Sequence, residues 1–85
     1  MITAAQCRAA RGLVDWSQDD LALAAGVGIV TVRHLEAGNR QPRRATLDVI
    51  RRAFEEKGVL FIREDDNGGH GVRLKKSDAS KNSAR

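Results

Sequence analysis

Four arginines, Arg33, Arg40, Arg43 and Arg44, crowd the run RHLEAGNRQPRR against a single acid, Glu36. Guanidinium groups at that density draw polyanions, nucleic acid first, because each offers a planar fork of donors to phosphate or to a base edge. The competing reading is a plain solvated basic face. Other reactive side chains are scattered. Cys7 is the only cysteine, and His34 and His70 stand far apart, so no set of four ligands at zinc spacing exists. Cys7 has no nearby base and reads as a small buried residue. The acids Glu64, Asp65 and Asp66 sit among turn formers and do not resemble a catalytic pair. The GVG at 26–28 lacks both the spacing and the preceding strand of a nucleotide-binding loop. These residues predict no enzyme, no metal and no cofactor.

The elements that would position the arginines follow from spacing. Thr3, with Gln6 three residues later, forms a capping box that opens a helix over residues 3–13. Cys7, Ala10 and Val14 recur on its inward stripe. Asp15 and Trp16 make the turn, with Trp16 an anchor in the core. Ser17 caps a second helix, with Asp19 and Asp20 at the positive end of its dipole. Leu21, Ala22 and Ala25 form its inner face, and Gly26 ends it. A third helix starts near Gly28 and runs through Val32 and Leu35 to Gly38. A fourth covers residues 43–57, with Leu47, Ile50, Ala53 and Phe54 on one face and Arg51, Arg52, Glu55 and Glu56 outside it.

Beyond Gly58 the period changes. VLFIRE and GVRLKK are short strand-like runs around the turn-rich DDNGGH, which predicts a hairpin pairing 59–63 with 71–75. Residues 59–62 are apolar on both alternating faces, so one face can cover the helices and the other can meet a second copy. The division expected is a helical domain over 1–57, a hairpin and candidate dimerisation element over 58–76, and a disordered tail over 77–85.

Composition sets the outer bounds. Eighty-five residues, 41% hydrophobic and 31% charged, suit one small globular domain. The net charge of +4 and pI near 10 agree with an anionic partner. No apolar run approaches membrane-spanning length, and the first residues lack the pattern of a secretory signal. A lone cysteine fits a reducing, cytoplasmic setting.

Two short helices joined by a glycine-containing turn of three or four residues form a helix-turn-helix. Ala22 is small where the second helix crosses, Gly26 supplies the turn conformation, and large residues at 22 or 26 would push the helices apart. From Gln18 to Gly38 the chain resembles the Xre/Cro group of phage-repressor-like helix-turn-helix regulators. The matching residues are Leu21-Ala22, Ala25-Gly26-Val27, Thr31-Val32, Leu35-Glu36 and Gly38. Arg40 and Pro42 fit as well. So does Arg11, which in the family pairs with the acid matching Glu36. The resemblance spans residues 2–54 and implies a mainly α fold, four helices of phage-repressor type followed here by a C-terminal β-hairpin.

It further implies a transcriptional regulator, a repressor by expectation, that binds double-stranded DNA as a homodimer. Gln18 would meet a phosphate or base edge. Gly28, Ile29, Val30, Arg33 and His34 would face the major groove. Arg33 is the leading base reader, since its fork matches O6 and N7 of guanine, and Ile29 or Val30 could meet a thymine methyl. Arg40, Arg43 and Arg44 would hold phosphates. Arg11, Glu36, Ala22 and Gly26 would be structural. The alternative is a protein-interaction module, such as the antitoxin of a toxin–antitoxin pair, docking a protein partner through Ile29, Val30 and the hairpin.

Overall fold

The computed structural model describes residues 2–76; the tail expected at 77–85 lies outside the described residues. Four helices lead into one hairpin: α1 (Ala4–Val14), α2 (Gln18–Ala25), α3 (Ile29–Ala37), α4 (Arg44–Glu56), β1 (Val59–Ile62) and β2 (Gly71–Leu74). Each predicted element is present, with ends shifted by a residue or so.

Local chemistry explains the breaks. Thr3 and Gln6 close the capping box of α1, and Ser17 and Asp20 close another at α2. Each satisfies backbone N–H groups that a helix start leaves without partners. Asp15 ends α1 in the left-handed region at φ 60°, the one non-glycine with positive φ among the described residues. Its N–H bonds back to the Arg11 carbonyl.

Gly26 ends α2 at φ 72°. Its role differs from the expectation in one respect. A Cβ built there would meet nothing within 4 Å, so a side chain would not wedge α2 from α3. What glycine supplies is the left-handed backbone, which disfavours L-residues on intrinsic steric grounds. Gly26→Ala is therefore expected to cost about 1–2 kcal/mol, entirely conformational. Urea unfolding would read it as a lowered midpoint with unchanged m-value.

The core draws on every helix and on the hairpin. Leu21, Val32, Leu35, Leu47, Ile50 and Phe54 are buried together with Cys7, Ala10 and Val59. Val14, Ala25, Val27 and Ile29 pack against it at partial exposure. Trp16 leans on Phe54 at 5.5 Å between ring centroids, and Phe54 meets Phe61 edge-on at 5.9 Å. Three aromatic rings thus tie the first turn, α4 and the hairpin together.

The hairpin is antiparallel, with Val59 opposite Leu74, Leu60 opposite Arg73, Phe61 opposite Val72 and Ile62 opposite Gly71. Val59 and Phe61 turn toward the helices, while Leu60 and Ile62 face outward, 40% and 37% exposed. Both faces of β1 are apolar and only one is covered.

Candidate nucleic-acid interface

Glu36 lies on the inner side of α3 at 4% exposure, and a carboxylate so buried requires partners. It has four donors from two other helices. Oε2 accepts from Arg11 Nε at 2.7 Å and from the Cys7 thiol at 3.2 Å. Oε1 accepts from Arg11 Nη2 at 2.8 Å and from Gln18 Nε2 at 3.1 Å. Burial would push the acid upward. The hydrogen bonds from Arg11, Cys7 and Gln18, with the attraction of the guanidinium, outweigh it and hold Glu36 below the usual carboxylate range. Burial, then the hydrogen bond to Glu36, pushes the Cys7 thiol far upward, so it remains a protonated donor. The guanidinium also donates from Nη1 to the Trp16 carbonyl at 3.1 Å. One fork therefore holds α3 and the first turn onto α1.

With its inner side pinned, α3 presents its outer side to solvent. Val30, Arg33 and His34 are exposed there, and Gly28 is exposed at the N-cap. Arg33 makes no hydrogen bond or ion pair with the described residues. Of the two candidates for an apolar base contact, Ile29 is half-buried against the core, whereas Val30 is 54% exposed and better placed.

The loop after α3 brings Arg40 and Arg43 beside His34. Together with Thr31, Gln41, Pro42 and Thr46 they line an open recess of about 300 Å³. Arg44, the first residue of α4, borders a different recess with Ile2, Leu47, Asp48 and Arg51. Three of the four arginines thus border recesses on either side of the start of α4, and Arg33 stands on the helix before it. The only acid in the 33–44 run is the one consumed by Arg11, so nothing in that run offsets the outward positive charge.

Gln18 is the site residue whose surroundings differ most from its expected role. Its amide turns inward to Glu36 and helps join α2 to α3. Arg51 and Arg52 stay outside the basic surface, and Arg51 pairs along α4 with Asp48 and Glu55 at 3.6 and 3.8 Å.

Three contacts of α1 were not foreseen. Beyond its capping bond, Gln6 is 5% exposed and its Nε2 donates to the carbonyls of Ile62 at 3.2 Å and Gly71 at 2.9 Å. Cys7 is a donor as well as a buried packing residue. Arg8 donates to the Glu36 carbonyl. A capping glutamine reads as local chemistry through its oxygen, and the sequence carried no signal that its amide nitrogen would donate to a hairpin more than 50 residues away.

No helix among the described residues is long and apolar enough to cross a membrane. No described group of three His, Cys, Asp or Glu residues could hold a metal ion. No match to a curated protein was found. The sequence pattern of the helix-turn-helix family matches residues 8–59, from α1 to the start of β1. That span exceeds half of the chain and includes the Arg11–Glu36 pair, the glycine turn and α3. The chain therefore belongs to the Xre/Cro-like helix-turn-helix family of DNA-binding transcriptional regulators.

Proposed function

We propose that this protein is a sequence-specific repressor that binds duplex DNA as a homodimer, with α3 of each copy in the major groove. The observation that carries the reading is the asymmetry of α3. Its inner side is locked by Glu36, and its outer side offers Arg33 unpaired beside an exposed Val30. A helix must be held from behind to be read from in front. Arg33 would take guanine O6 and N7, and Val30 a thymine methyl. Arg40, Arg43 and Arg44 would set register on phosphates, with His34 at the margin, while Gln18 supports α3 from within through Glu36.

Two copies are invoked because one module of this size reads few base pairs, and paired half-sites multiply the contacts. The hairpin, which the helices cover only in part, supplies the element for that association. A dimer seated on a promoter would exclude polymerase sterically, which is the sense of repression meant here.

Selection of bound duplexes from a random pool, at fixed salt, is expected to return a two-fold symmetric sequence. Recovery of unrelated sequences would overturn base reading. Affinity for the selected site should fall steeply as salt rises. Removing any one of Arg40, Arg43 or Arg44 takes a phosphate contact from each copy and should lower the slope of log K against log salt by about 2. An unchanged slope in all three variants would remove them from the phosphate contacts.

A further inference from the structure

We infer that the second copy joins through the free edge of β2, antiparallel about Val72, so that two hairpins form one four-stranded sheet. This rests on the homodimer reading above and specifies the contact that such a dimer uses.

The phase of the hairpin ladder decides which backbone groups are free. Lys75 N–H donates to the Gly58 carbonyl at 2.7 Å. With the observed register, the pairs Leu60–Arg73 and Ile62–Gly71 then exchange hydrogen bonds, and Val72 and Leu74 turn their N–H and C=O away from β1. An edge with open donors and acceptors is a template for another strand.

Side chains mark the same edge as unfinished. Leu74 lies opposite Val59 on the helix-facing side of the sheet. Val59 is 1% exposed, yet Leu74 is 47% exposed. Helix α1 packs on β2 and Val72 reaches the core, but the cover stops short of Leu74 at the end of the strand. An apolar residue that faces inward over no cover is what a second body would bury.

Charge chooses the orientation and the register. The hairpin is acidic at its tip, with Glu64, Asp65 and Asp66, and basic where β2 leaves the sheet, with Lys75 and Lys76. Two copies of β2 in antiparallel alignment place each basic end beside the partner's acidic tip. Of the alignments that satisfy the ladder phase, pairing about Arg73 would set two guanidiniums face to face, and pairing about Leu74 would set Lys75 against Arg73 of the second copy and leave Lys76 opposite Val72, short of the acidic tip. Pairing Val72 with Val72 avoids both. Leu74 then lies against His70 of the second copy, Arg73 against Gly71, and Lys76 against Gly68, which is bridged to Asp65.

Packing of the two outward faces through Leu60 and Ile62 is the competing geometry. It would trap Arg73, which shares that face, at the centre without a counter-ion.

Sedimentation equilibrium on the full chain tests the assignment. Val72→Pro removes the outward N–H and leaves the internal ladder intact, so the dimer dissociation constant should rise about 10- to 100-fold with the helical circular dichroism retained. Lys75→Glu with Lys76→Glu should weaken the dimer without touching the backbone. Adding Asp65→Lys and Asp66→Lys to that variant should restore it. A wild-type chain that stays monomeric at millimolar concentration overturns the homodimer itself. A wild-type dimer left equally tight by Val72→Pro and by the lysine reversals overturns the β2 edge alone, and a dimer broken instead by Leu60→Lys assigns the outward face.

Discussion

Glu36→Ala is expected to destabilise the protein by about 3 kcal/mol, because it leaves a largely buried guanidinium and two further donors without their acceptor. In a domain of this size that lowers Tm by roughly 12–24 °C. The charge itself is tested by Glu36→Gln, which keeps the shape. Glu36 is held below its ordinary range in the folded chain, so the stability it contributes is complete above the unfolded carboxylate value of about 4.3 and is lost as pH falls through the folded value. Acid should therefore weaken the wild-type protein more steeply than Glu36→Gln, in urea titrations taken from pH 6 downward. Parallel curves for the two, or an alanine variant melting within a few degrees of wild type, would show that packing rather than the carboxylate holds α3.

Arg33→Ala should leave Tm where it is, since the side chain is exposed and has no described partner, yet abolish most sequence preference. A bidentate arginine–guanine contact discriminates by about 1–3 kcal/mol, and a dimer would lose two of them. The affinity ratio of selected site to random duplex should shrink by about 30-fold or more. Arg33→Lys should fare little better, because an ammonium lacks the planar fork. Arg40→Ala provides the contrast, weakening selected and random duplexes alike. If Arg33→Ala lowers both equally, Arg33 is a phosphate contact and base reading belongs elsewhere on α3.

The helices were legible in the sequence because their signals are local. Caps at Thr3 and Ser17, terminators at Gly26 and Gly38 and the apolar stripe of α4 each act within a turn or two. The Arg11–Glu36 pair was legible only through family resemblance, since no local rule couples residues 25 apart. Gln6 escaped for the same reason. Its capping bond is visible in a four-residue window, and its grip on the hairpin exists only after the chain has closed. Gly26 was placed correctly with a partly wrong reason: a pattern of small residues suggests crowding, whereas the backbone angle alone requires glycine there. Among the basic residues, sequence supplied the cluster but could not divide it, and the path of the loop sets Arg44 apart from Arg40 and Arg43.

Within one turn of α1, Gln6 holds the carbonyls of the hairpin while Cys7 and Arg8 hold α3. Two elements that share no sequence neighbourhood are thereby bolted to a single strut. In an assembly seamed through the hairpins, the span between the paired reading helices would be built into the protein like the jaws of a fixed-gauge tool. Any give needed to fit operators of unequal length would then have to come from twisting and bending of the duplex.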